Sequence, residues 1–118
     1  MVAALKIEVG KNPVPCWLCD DTEYLNRCVS QGESIIYMAA ALKVENGIAA
    51  IHCRNGHMFC FPGNRRVGER VVCGTFYIVR VKNGKLVSLS DADVVKYSLE
   101  YWEPERFTED EIISSWLL

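Results

Sequence analysis

No stretch of this chain is long and apolar enough to span a bilayer. Its longest hydrophobic run, Ile35 to Leu42, is eight residues, against the roughly 20 that a transmembrane helix needs. No membrane anchor is therefore expected. Charge of one sign is also lacking: 13 basic residues meet 15 acidic ones, for a net charge of −2. The chain as a whole is slightly acidic, which counts against nucleic-acid binding along its full length. Met1 to Glu8 has neither a basic start nor a long apolar stretch, so no secretory signal is expected and the location is read as intracellular, in the cytoplasm. There, cysteines more often bind metal than form disulfides. Also missing are a Walker loop, a Gly-x-Gly-x-x-Gly turn, a Gly-x-Ser-x-Gly elbow and the His-Glu-x-x-His or His-x-Glu pattern of zinc enzymes. An enzymatic role has no motif behind it. The chain has no internal repeat, low-complexity tract or linker, and 118 residues fit one domain over 1–118.

What is present is a pair of cysteine clusters. Cys16-Trp17-Leu18-Cys19 places two thiols two residues apart, and 33 residues later Cys53-Arg54-Asn55-Gly56-His57-Met58-Phe59-Cys60 adds two thiols and an imidazole around a glycine. A tetrahedral zinc ion needs four such side chains to converge, and two-residue spacing lets one turn aim both thiols at it. The expected ligands of a structural zinc are Cys16, Cys19, Cys53 and His57, with Cys60 as the alternative fourth. His52 neighbours Cys53 and should point to the other side of its strand. Cys28 and Cys73 lack a partner at ligand spacing and read as small buried hydrophobes. A disulfide between two of Cys28, Cys60 and Cys73 stays open, more so in a hyperthermophile. A redox role for the first pair is disfavoured, because no βαβ pattern surrounds it.

Cys-x-x-Cys followed some thirty residues later, after a strand, by Cys-x-Asn-Gly-His resembles the zinc-ribbon motif of small phage and virus-encoded proteins, and is similar to zinc-ribbon and treble-clef modules generally. The resemblance covers Cys16 to about Phe61. It implies a structural zinc and a viral origin, hence a host cytoplasm. The chain departs from the pattern in having Arg54 where proline is usual and in adding Cys60.

Residue patterning supplies the remaining elements. Leu5, Ile7 and Val9 alternate with Lys6 and Glu8 as in a strand. Asp20-Asp21-Thr22 followed by Tyr24, Leu25 and Cys28 suggests a short helix. Asn46-Gly47 reads as a tight turn within a hairpin, with Ile48 to Cys53 as the returning strand. Phe61 to Arg70 reads as a basic, exposed loop, Val71 to Val81 as one long strand, and Asn83-Gly84 as a second hairpin turn returning through Lys85 to Leu89. Val94 to Trp102 has helix-start residues before it, but its aromatic and β-branched content favours a strand. Thr108-Glu109-Asp110-Glu111 is a capping box opening a helix with Ile112, Ile113, Trp116 and Leu117 on one face. The expected fold is α+β: mainly antiparallel β hairpins with a zinc knuckle and a C-terminal amphipathic helix.

Charge is unevenly placed. Residues 43–85 hold eight basic and two acidic side chains, whereas residues 91–111 hold two basic and eight acidic. The leading functional expectation is a zinc-stabilised protein binding nucleic acid through Arg54, Arg65, Arg66 and Arg70, with Phe59 and Phe61 as stacking groups. The alternative is a protein-interaction or homo-oligomeric module using the acidic C-terminal region and the terminal helix.

Overall fold

The computed structural model describes residues 1–19, 28–30 and 36–117, with the side chains of 28–30, 36 and 37 outside that description. The helix expected from Asp20 falls largely outside the described residues. Among the described residues nine strands and two helices follow in order: β1 Val2–Ile7, β2 Val14–Leu18, β3 Cys28–Ser30, β4 Ile36–Glu45, β5 Ile48–Cys53, β6 Gly63–Val67, β7 Arg70–Cys73, β8 Phe76–Lys82, β9 Lys85–Val87, α1 Asp91–Glu100 and α2 Glu109–Trp116. The fold is α+β, and every strand pairing is antiparallel. No helix among the described residues is long and apolar enough to cross a membrane.

The main sheet runs β2-β1-β8-β5-β4-β3, with β9 also on β8. The late strand β8 is thus inserted between β1 and β5, and it pairs with both (Leu5 with Ile78, Ala50 with Ile78). Alternation of side chains along these strands creates two buried faces. One carries Leu5, Ile7, Ile48, Ala50, Phe76 and Ile78 and is covered by Val67 and Val72 of the β6–β7 hairpin together with Tyr97 and Tyr101. The other carries Val2, Ala4, Ala39, Ile51, Cys53 and Val79, with Phe61 packed against it. Each fully buried Leu, Ile or Phe on these faces contributes about 1.5 to 3 kcal/mol.

Both asparagine–glycine turns connect neighbouring strands as expected. At the second, Asn83 and Gly84 both have positive φ (53° and 74°), the backbone that matches the twist of a two-residue hairpin. Three expectations are corrected. The long strand from Val71 breaks at Gly74, whose φ of 77° turns the chain while its N–H donates to the Pro62 carbonyl at 2.9 Å. Val71 and Val72 then belong to the small β6–β7 sheet and Phe76 onward to the main one. The segment expected as an exposed basic loop is instead β6, whose Asn64 and Arg65 are wholly buried.

The third correction is α1, read from sequence as a strand. Ser90 Oγ accepts the Asp93 N–H at 3.1 Å and the Asp93 carboxylate accepts the Ser90 N–H at 3.0 Å, a reciprocal cap that satisfies two otherwise unpaired donors. Tyr97 and Tyr101, four apart, then point together into the core, while Leu99 between them is 70% exposed. The apparent alternation of Tyr97, Leu99 and Tyr101 is therefore a helical i, i+4 pair with an outward residue between them.

Candidate functional site

The residues with most chemistry gather where α2 meets the β6–β7 hairpin. Thr108 caps α2 as expected: its Oγ1 accepts the Glu111 N–H at 3.2 Å, and Glu111 accepts the Thr108 N–H at 3.0 Å. The other end of the helix is fastened to β7. Ser115 Oγ accepts the Val71 N–H at 3.0 Å and Trp116 Nε1 donates to the Val71 carbonyl at 2.7 Å. Both backbone groups of Val71 in β7 are therefore bonded to helix side chains.

The Trp116 ring is a platform for three basic side chains. His57 stacks on it, with centroids 4.9 Å apart and planes 7° apart, and His52 lies tilted at 5.6 Å. The Arg70 guanidinium sits 5.0 Å above the same ring, a cation–π contact. Burial lowers the pKa of both imidazoles, and for His52 the nearby Arg70 and His57 add to the effect. Both rings are thus uncharged near neutral pH. His52 Nδ1 lies 2.9 Å from the Cys53 carbonyl oxygen. Nδ1 of His57 is buried with no hydrogen-bond partner among the described residues, at a cost of about 1 to 3 kcal/mol.

His57 also lines a cavity of about 780 Å³ between the loop before β6, the segment joining the two helices, and the first turns of α2. Its half-buried walls are His57, Phe61, Phe107 and Ile112, and its exposed margin includes Cys60, Glu105, Arg106, Glu109 and Ile113. Gly63 makes the tight corner: a Cβ there would lie 2.9 Å from the Phe107 ring and 3.3 Å from Ile112 Cδ1. Glu105 is held by the Arg66 N–H at 3.0 Å. Cys60, on the margin, has a φ of 60°, a backbone state uncommon for a residue with a side chain.

The expected zinc ligands are not brought together. Cys16 pairs with Ala4 on β1, and the β1–β8 and β8–β5 registers place that row level with Ala49, three strand spacings away. At about 4.8 Å between strands and about 3.4 Å per residue, Cys53 lies roughly 14 Å across the sheet from Cys16 and roughly 14 Å along it. Zinc–sulfur bonds are only about 2.3 Å, and these registers leave the strands of Cys16 and Cys53 apart. No group of three or more His, Cys, Asp or Glu suited to a metal occurs among the described residues. Cys19 and Cys60 are exposed, whereas Cys53 and Cys73 are buried thiols whose pKa burial raises, that of Cys73 to about 11. Cys73 thus behaves as the small buried hydrophobe expected of it. His52 is on the opposite face of β5 from Cys53, also as expected.

The four candidate arginines have separate fates. Arg65 has no exposed surface. Its guanidinium donates to the Tyr101 carbonyl (2.9 Å), to Asn64 Oδ1 (2.7 Å) and to the Lys11 carbonyl (2.6 Å). A side chain so enclosed contacts no phosphate; it ties β6 to the end of α1 and to the β1–β2 loop. Arg66 is exposed but lies 5.6 Å from the Phe107 ring centroid, and its Nη1 donates to the Glu69 carbonyl at 3.0 Å. Arg70 is on Trp116, and Arg54 is exposed with Nη2 at 3.5 Å from the Ala39 carbonyl. Phe61 packs on the core and Phe59 is 54% exposed, 5.9 Å from it.

Sequence reading missed the cavity. Arg106 and Phe107 belong to no sequence motif, and Ile112 and Ile113 read from sequence as a helix face. The available signal was Pro104, which stops one helix before the Thr108 box starts the next, leaving a short extended segment to form a wall. No protein family, curated protein or solved structure matches this chain.

Proposed function

We propose that the chain is a binding domain whose ligand is a small molecule seated in the cavity beneath α2. The observation that carries this is the cavity itself: at about 780 Å³ it falls within the range of about 300 to 1,000 Å³ typical of small-molecule sites. Such sites combine mainly apolar walls with a few polar groups, as this one does. Phe61, Phe107, Ile112 and Ile113 favour a flat or branched apolar body. The margin selects the head. Arg106 is cationic and Glu105 and Glu109 are anionic, so a bare carboxylate or a bare ammonium meets at least one charge of its own sign. A neutral or zwitterionic head, offering both a donor and an acceptor, suits both.

The probe for this reading is N-phenyl-1-naphthylamine, a neutral aromatic whose fluorescence rises in apolar surroundings. Wild type should bind it saturably, and Ile113→Trp, which fills the margin from an exposed position, should weaken binding about tenfold, about 1.4 kcal/mol. Absence of binding, or binding indifferent to Ile113→Trp in a variant of unchanged circular dichroism, overturns the proposal.

A further inference from the structure

A second surface calls for a partner of a different kind. On α1 the core side is filled by Tyr97 and Tyr101, yet the outward side carries Val95 and Leu99, exposed by 60% and 70%, and Trp102, just past the helix end, is 45% exposed. Val95 and Leu99, four apart, share one helical face, and Trp102 follows the helix end with its N–H donating to the Leu99 carbonyl at 3.4 Å. Isolated exposed apolar residues need no explanation, but a contiguous stripe marks an interaction surface.

Charge around the stripe selects its occupant. Asp91 stands one turn before Val95, Glu100 follows Leu99 and Glu103 follows Trp102 in the chain, and all three are exposed. The one basic side chain of α1, Lys96, is committed to Glu45 at 2.8 Å. The last turn of α1 holds no basic residue, although the carbonyl end of a helix favours cations nearby. A second copy of this chain would bring the same acids against themselves, and an anionic lipid surface would be repelled.

We infer that the Val95–Leu99–Trp102 face docks a basic amphipathic helix of a partner protein. Leucine-type side chains of that helix cover the stripe, and its lysines or arginines meet Asp91, Glu100, Glu103 and the carbonyl end of α1. This is helix-against-helix recognition with electrostatic selection.

The test uses a fluorescein-labelled helical peptide of leucine and lysine in amphipathic order, titrated with the full chain and read by anisotropy. A matched peptide with glutamate for lysine is the control. The lysine peptide should bind saturably, weaken with added salt, and lose about tenfold in affinity in Leu99→Ser, while the glutamate peptide should not bind. Ile113→Trp should leave peptide binding unchanged, which separates this surface from the cavity. Failure of the lysine peptide, equal binding of both peptides, or indifference to Leu99→Ser and Val95→Ser overturns the inference. So does concentration-dependent dimerisation abolished by Leu99→Ser, which would assign the face to a second copy. Both substituted positions are exposed, so the variants should retain the wild-type circular dichroism.

Discussion

The two helices begin alike and end in opposite circumstances. Ser90 with Asp93 and Thr108 with Glu111 are the same reciprocal cap, and each helix carries aromatic or aliphatic residues at helical spacing. In α2 the side facing the hairpin is engaged, with Ser115 and Trp116 bonded to the backbone of β7 and Ile112 at the corner by Gly63, while Ile113 and Leu117 are exposed. In α1 the apolar content is divided, with Tyr97 and Tyr101 buried and Val95 and Leu99 facing solvent. A cap therefore specifies where a helix starts and says nothing about what its faces meet. That is settled by the element lying opposite.

Arg65 joins the two systems, since it holds the carbonyl at the end of α1 from the hairpin that supports α2. Removing it should have the largest effect. Arg65→Ala leaves the Tyr101 and Lys11 carbonyls and Asn64 Oδ1 without this donor in a buried site, and should cost about 3 to 5 kcal/mol in urea unfolding. Arg65→Lys keeps the charge but not the planar fork, and should recover less than half of the loss. If Arg65→Ala unfolds with wild type, the strut role assigned to this residue is wrong.

Next in size is the direct contrast between the helices. Trp116→Ala removes the stack with His57, the contact with Arg70 and the bond to the Val71 carbonyl. As the ring is only half-buried, the expected cost is about 2 to 3 kcal/mol, below that of a fully buried tryptophan. Leu99→Ser should change stability by no more than about 0.5 kcal/mol. Similar losses from the two would mean that the α1 face is structural and would remove the contrast.

What the sequence made legible was local. Asn83-Gly84 and Thr108 through Glu111 act within a few residues, and their geometry appears as read. The strand reading of Val94 to Trp102 failed because the Ser90–Asp93 cap and the inward pair Tyr97 and Tyr101 outweigh β propensity. Cysteine spacing failed to indicate proximity for a different reason. Linear distance cannot reveal that β8, formed from residues 76–82, inserts between the strands bearing Cys16 and Cys53. Arg65 reads as a surface charge until its acceptors, from residues 11 and 101, are seen to surround it. The cavity likewise depends on Phe61, Phe107 and Ile112 lining one space, from segments that no local pattern links.

The same caps provide the most selective test. The Asp93 carboxylate accepts from Arg80 Nε and Nη2 at 2.9 and 2.8 Å. The Arg80 guanidinium foremost, with the Ser90 N–H and hydroxyl, holds its pKa well below the usual carboxylate range. The pKa of Glu111 is also lowered, by the Thr108 N–H and hydroxyl. A carboxyl group whose folded pKa is depressed favours folding in its ionised form. Its contribution is complete above the unfolded value of about 4 and is lost as pH falls below it. The wild-type urea midpoint should therefore hold from about pH 7 to about pH 5 as far as these two groups are concerned, then decline towards about pH 2. Asp93→Asn, costing about 1 kcal/mol at neutral pH through its weakened cap, should show a shallower decline. What remains in that variant includes the Glu111 contribution, so Thr108→Ala should flatten it further if both caps act alike. An Asp93→Asn profile parallel to wild type would show that α1 is not held by this carboxylate, and that its start depends instead on the buried tyrosines alone.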